Sequence, residues 1–237
     1  MMGSRRLEAV LFDMDGVIID SEPLWTNAEQ HMLMRRNLTY SAELKALLMG
    51  RDSQEAVTLF IEHYNLNEKV ADVIEERDKL VAELFQQFLQ PIPHVLALIR
   101  SVRKNGVKTA VVSSSPRRLV DLALDKLGIN DLFELVLSGD QVARGKPAPD
   151  IYLAAAEALN VPPENCLVIE DAPNGVAAAK AAGMSCLAVC TSARETELAA
   201  ADQYAVRPFT QGRQDELRVN TSRAHDPDHS RIRGAGH

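Results

Sequence analysis

Two carboxylates stand two residues apart in Asp13-Met14-Asp15-Gly16, directly after the apolar run Ala9–Phe12. At a point where the chain leaves a sheet, that spacing lets one acid attack while the other moves a proton. A carboxylate is a competent nucleophile toward phosphorus if a cation screens its repulsion from a phosphate, and a neighbouring carboxylic acid can protonate the departing oxygen. Asp13 is therefore the candidate nucleophile and Asp15 the candidate acid/base. Gly16 permits the tight turn that such a geometry needs. A turn whose aspartates merely cap backbone amides is the competing reading, and on this motif alone the two are evenly matched.

Three further strand ends carry matching polar groups. Ser113-Ser114-Ser115-Pro116 offers hydroxyl and amide groups to phosphate oxygens at the start of a helix near Arg117, unless a serine there is an ordinary N-cap. Lys146, in Gly145-Lys146-Pro147, is placed to reach both a phosphate and Asp13, although most lysines are solvated surface charges. Residues 167–169 end in Glu170-Asp171, acids at the tip of a buried strand, where uncompensated charge is costly. A hard cation relieves that cost. Magnesium prefers oxygen ligands and keeps several waters, so Asp13, the Asp15 carbonyl and Asp171 suffice as protein ligands. Asn174, at the next helix start, either ties the acidic loop together or caps the helix.

These groups need a scaffold that brings them to one edge. Short β-type runs recur at residues 9–12, 109–112, 135–137, 167–169 and 186–189, with a weaker one at 204–206. Helical patterns at residues 94–104, 117–127, 150–159 and 174–182 separate most of them, each long enough to cross back over a sheet. The alternation predicts an α/β class with a Rossmann-like, doubly wound parallel sheet. Between the first two strands the rhythm breaks. Residues 21–90 show helical periodicity and no convincing strand, with Val70, Val73, Ile74, Leu80, Val81, Leu84, Phe85 and Phe88 forming one apolar face. This predicts an inserted all-α helical cap domain (21–90) on a discontinuous core (1–20 and 91–212). It would sit over the carboxyl edge, where ligands of α/β proteins bind. Residues 213–237 are polar and charged and read as a disordered tail.

Asp-Met-Asp-Gly at 13–16, Ser113, Lys146 and Glu170-Asp171, in this order and in these strand contexts, resemble the four motifs of the haloacid dehalogenase-like hydrolase superfamily over about residues 7–209. The helical insertion resembles that of the β-phosphoglucomutase and sugar-phosphatase branch. Asp20-Ser21-Glu22-Pro23-Leu24-Trp25 is similar to its hexose- and hexitol-phosphate phosphatases, such as 2-deoxyglucose-6-phosphate phosphatase. The resemblance implies Asp13 as nucleophile, Asp15 as acid/base, Ser113 and Ser114 as phosphate holders and Lys146 as charge stabiliser. It further implies Asp171 as a magnesium ligand with Glu170 in support, and hydrolysis of a small sugar or polyol phosphate through an aspartyl-phosphate. Two departures stand out. Trp25 occupies a position where mutases of the branch resemble one another in carrying histidine, which favours hydrolysis over phosphomutase chemistry, and Pro93-His94 replaces the usual Pro-Gly at the return from the cap. Dehalogenase and phosphonatase branches lack the second acid that Asp15 supplies. A catalytically silent phosphate-binding module has no use for that acid.

Totals set the outer bounds. A chain of 237 residues with 46% hydrophobic content can bury a large core, and a formal charge of −7 with 5% aromatics argues against nucleic acid as partner. No apolar run approaches the length of a membrane span. The expectation is a cytoplasmic monomer acting on a small phosphorylated metabolite. Cys166, Cys186 and Cys190 form no C-x-x-C pair and read as packing residues. In the cap, Trp25 could stack on a sugar face and Arg51, between Gly50 and Asp52, could offer polar contacts, though core packing and solvation are the commoner fates of such residues.

Overall fold

The computed structural model describes residues 6–48, 51, 53–190 and 196–206. Among the described residues six strands form one parallel sheet: β1 (Ala9–Phe12), β2 (Lys108–Ser113), β3 (Leu135–Ser138), β4 (Cys166–Glu170), β5 (Ser185–Cys190) and β6 (Gln203–Val206). Their spatial order is β3-β2-β1-β4-β5-β6. Parallel strands buried on both faces favour continuous Val, Leu and Ile runs, which is what β1, β2 and β4 contain. Side chains alternate across the sheet. Val10 and Phe12 therefore pack on one side with Leu98 and Ile99 of α5 (Val95–Lys104) and Val120 and Leu124 of α6 (Arg117–Leu127). Ala9 and Leu11 pack on the other with Tyr152 and Ala155 of α7 (Asp150–Leu159) and Ala178 and Ala179 of α8 (Pro173–Ala181). Each fully buried Val, Leu or Phe contributes about 1.5–3 kcal/mol, so the two layers fix which strand ends lie together.

Register decides the rest. Phe12 is opposite Val111 of β2 and Ile169 of β4, so Asp13, Ser113 and Glu170 reach the carboxyl edge side by side. β1 is central, with the chain turning to opposite sides of it for β2 and β4, the arrangement that opens a ligand crevice in doubly wound sheets.

Between β1 and α5 the described residues form four helices: α1 (Glu22–Arg35), α2 (Ala42–Leu48), α3 (Ser53–His63) and α4 (Val70–Phe88). They have a hydrophobic cluster of their own, built on Met32, Leu33, Leu44, Phe60 and Val73. Entry and exit run side by side: Ile19 bridges Pro91 in antiparallel fashion, the Asp20 amide donates to the Gln90 carbonyl (3.1 Å), and the Ile92 amide donates to the Ile18 carbonyl (2.9 Å). On α4 the buried face differs from the apolar pattern. Arg77 and Asp78 lie buried between Val73 and Val81, whereas Phe88 is exposed. Arg118 of α6 reaches the buried Asp78 carboxylate at 2.5 Å, which ties the helical block to the sheet layer.

His94, in the altered Pro-His step, has φ +67°, a left-handed conformation that glycine adopts without steric penalty. Cys166 and Cys186 are buried free thiols, and burial pushes them up to about 11 and about 12 respectively. Among the described residues no helix is long and apolar enough to cross a membrane. The tail expected at 213–237 lies outside the described residues.

Candidate active site

Asp13 leaves β1 with its amide still donating to the Ile169 carbonyl (2.9 Å), so the strand ladder fixes the base of the site. Lys146 comes from the segment before α7, and its ammonium is sequestered from solvent. It donates to Asp13 Oδ1 (2.7 Å), Glu170 Oε1 (2.7 Å) and the Val112 carbonyl (3.1 Å). Three partners on three neighbouring strands define one charge centre. Glu170 Oε1 also accepts from the Tyr152 hydroxyl (2.9 Å), and Oε2 accepts the amides of Asp171 (2.9 Å) and Ala172 (3.1 Å). Glu170 is thus held at every lone-pair direction that matters, and Asp171 projects beyond it.

Asp13, Glu170 and Asp171 are buried, with one ligand oxygen from each lying within 4.8 Å of the others. Such crowding has an electrostatic signature. Burial holds the Asp13 carboxyl well above the usual carboxylate range, Lys146 pulls it back, and Glu170, Asp171 and Asp15 push it further up. Lys146 loses hydration on burial, yet Asp13 and Glu170 more than offset this and hold its ammonium well above the ordinary lysine value. One lysine does not neutralise three acids. An all-oxygen, buried, acidic donor set fits a hard divalent cation, with Asp13 and Asp171 the acids best placed to hold it, since Glu170 is already engaged. Two glycines make room. A Cβ at Gly16 (φ +75°) would overlap the Asp171 carboxylate, and one at Gly175 would overlap that of Glu170.

The Asp15 carboxylate is held by a separate set of partners. Its Oδ1 accepts Ser21 Oγ (2.6 Å) and Trp25 Nε1 (3.0 Å), and its Oδ2 accepts Ser115 Oγ (2.8 Å) and, at 3.4 Å, Ser113 Oγ. Two of the donors come from the helical block and two from the end of β2. Ser113 is fully buried and its hydroxyl also accepts the Ser115 amide (3.0 Å), whereas Ser114 and Ser115 line the open cavity. The serine run does not cap α6: Pro116 is the N-cap, and the Arg117 amide donates instead to the Asp140 carboxylate (3.2 Å). Asn174 does not cap α8 either, because Ala172 occupies that place and Asn174 follows Pro173 inside the first turn.

A cavity of about 840 Å³ rises from Asp13, Asp15, Lys146 and Asp171 to the helical block. Trp25 and Arg51 both line it. Trp25 is packed as well: its ring meets Phe85 edge-on (centroids 6.3 Å apart) and Arg77 lies over it at 5.1 Å. The Arg51 guanidinium is occupied by the Leu47 carbonyl (2.7 Å) and Glu55, while Gly50 and Asp52 lie outside the described residues. Tyr152 escaped the sequence reading, which also foresaw no contact of Ser21 or Ser115 with Asp15. Ser115 alone carried a signal, as the third member of a serine run.

Sheet order and site together define a doubly wound α/β protein with a buried acid and lysine centre at its carboxyl edge, roofed by inserted helices. The chain belongs to the haloacid dehalogenase-like hydrolase family, whose model matches residues 7–183. It is 34% identical over 178 residues to the phosphorylated carbohydrates phosphatase of Thermotoga maritima, covering 75% of this chain and 82% of that one. It is 31% identical over 187 residues to the fructose-1-phosphate phosphatase YqaB of Escherichia coli, covering 78% and 97%. Among solved structures, CbbY of Rhodobacter sphaeroides in complex with phosphate is similar, with a TM-score of 0.77 and 28% identity over 84% of this chain and 93% of that one.

Proposed function

We propose that the protein is a magnesium-dependent phosphatase that hydrolyses a small sugar or polyol phosphate through an aspartyl-phosphate on Asp13. The observation that carries this is the Lys146 ammonium bridging Asp13 and Glu170 beneath an open cavity, with Asp171 beside them. The phosphatases of Thermotoga and E. coli named above support the reaction class.

In this reading the phosphate monoester sits over Asp13. The Asp13 carboxylate forms a bond to phosphorus as the ester P–O bond breaks, and Asp15 gives its proton to the departing alkoxide. Asp15 then takes a proton from water as that water attacks the aspartyl-phosphate, which frees phosphate and restores Asp13. Lys146 and the amide and hydroxyl of Ser114 stabilise charge on the equatorial oxygens, while Ser113 and Ser115 hold the turn and the Asp15 carboxylate. Asp13, Asp171 and the Asp15 carbonyl, with Glu170 in support, would hold magnesium, whose positive charge would screen the repulsion between the Asp13 carboxylate and the phosphate. Residues 21–90 act as the cap that closes over the substrate.

A panel of phosphate esters assayed with and without magnesium tests the proposal. Release of inorganic phosphate that requires magnesium and disappears in Asp13→Asn is expected. Wild-type turnover in that variant would end it, and conversion of a sugar 1-phosphate to its isomer without net phosphate release would replace it with mutase chemistry.

A further inference from the structure

Glu29 lies in the wrong company for a packing residue. On α1 its buried neighbours are Ala28, Met32 and Leu33, and Glu29 is itself only 9% exposed. An apolar side chain would serve that stripe better, since burial disfavours a carboxylate and holds it above its ordinary range. Among the described residues, the Tyr40 hydroxyl supplies its one hydrogen bond, to Oε2 at 3.0 Å. Arg77 and Lys45 lie near enough to favour its charge, and Lys45 is itself paired with Glu22 at 2.8 Å. All five line the cavity above Asp13.

Helix geometry fixes where Glu29 acts. Ser21 and Trp25 both touch Asp15, and Glu29 follows at the same four-residue step on the same face. It therefore stands just over one turn, about 6 Å along the axis, farther from the acid/base than Trp25. A leaving group whose first oxygen receives a proton from Asp15 extends along this face, and several carbons span that turn.

We infer that Glu29, oriented by Tyr40, is a specificity-determining residue that accepts hydrogen bonds from hydroxyls of the leaving group, and that the substrate is a neutral polyhydroxylated chain carrying a single phosphate. The inference rests on the phosphatase reading and narrows it. The Oε1 atom is left to accept from a substrate hydroxyl, while Tyr40, which donates its proton to Glu29 and whose oxygen the Thr26 side chain meets, fixes the carboxylate in place. The same carboxylate repels a second phosphate or an acid group at that end of the molecule.

The test compares sorbitol 6-phosphate with phenyl phosphate, which has no hydroxyl to offer, in wild type, Glu29→Gln, Glu29→Ala and Tyr40→Phe. Magnesium-dependent turnover and calorimetric binding are both measured. Loss of hydrogen bonds to a charged acceptor should lower kcat/KM and affinity for sorbitol 6-phosphate about 10–100-fold in Glu29→Ala, mainly through KM, with phenyl phosphate held within about twofold. Fructose 1,6-bisphosphate should bind Glu29→Ala more tightly than wild type. Parallel losses on both monophosphates in the folded Glu29→Gln protein, or no loss on either, overturn the inference. Wild-type turnover of phenyl phosphate without preference for sorbitol 6-phosphate would leave the phosphatase reading standing and sink the role of Glu29. Preferential binding of sorbitol 6-phosphate that Glu29→Ala erases, in a protein with no turnover, would do the reverse. Binding of neither monophosphate overturns both.

Discussion

Replacing Lys146 by methionine removes the one buried cation among Asp13, Glu170 and Asp171 while keeping a side chain of similar length. Three charge-assisted hydrogen bonds vanish, two of them to carboxylates at 2.7 Å, and the buried Asp13 and Glu170 carboxylates are left facing each other without their counterion. Breaking a buried pair from one side costs about 3–5 kcal/mol, because the stranded charge must be neutralised or hydrated at the expense of packing. Domains of this kind are stable by about 5–15 kcal/mol, so the variant should fold but with much of its margin gone. Urea unfolding followed by far-ultraviolet circular dichroism, in the presence of a chelator, measures the loss directly. Adding Glu170→Gln to the variant removes one of the two opposed charges and should restore about 1–3 kcal/mol. A loss below about 1 kcal/mol, the worth of an exposed pair, would refute the electrostatic reasoning, as would a loss that Glu170→Gln leaves unchanged.

Gly175→Ala drives a methyl group into the Glu170 carboxylate and should cost about 1–3 kcal/mol with loss of phosphatase activity, read by urea unfolding and phosphate release. His94→Gly relieves the left-handed backbone at the return from the helical block and should stabilise the protein by about 0.5–1 kcal/mol in the same unfolding assay. Burial raises the folded-state titration of Glu29 above 4.5, so its contribution to stability is fullest below that pH and is lost as pH rises through the folded value. Glu29→Gln, facing Tyr40, Arg77, Lys45 and Glu22, should therefore gain melting temperature relative to wild type from acid to neutral pH; a constant difference would contradict this.

Much of the scaffold was readable because its signals are repetitive. The runs at 9–12, 109–112, 167–169 and 186–189 lie within the observed strands β1, β2, β4 and β5, since a strand buried on both faces must be apolar at every position. The meeting of Asp13 and Glu170 was readable for a related reason: each ends such a run, and parallel register carries strand ends to one edge, whereas Lys146, well past β3, was placed only by Pro147 and the helix after it. Single polar residues with no period were not. Tyr152 and Glu29 sit on helices whose apolar pattern is complete without them, and only distant partners, Glu170 and Tyr40, reveal their use. Arg77 and Asp78 interrupt the buried face of α4 for contacts with Trp25 and Arg118 that no local pattern encodes. Ser113 was legible as a polar strand end, but its burial beneath Ser115 depends on how the following turn folds back.

The paired linkers at 18–20 and 90–92 make the four helices look like an interchangeable cassette, entered and left by the chain at one spot. The chemistry does not respect that seam. Ser21 and Trp25 lie on the cassette side yet hydrogen-bond the Asp15 carboxylate on the other, so transplanting foreign helices after residue 20 would bring a new roof and also strip that carboxylate of half its tethers. A chimera designed to alter selectivity must carry that serine and indole across with the graft, or it will inherit a new pocket over a misaligned acid.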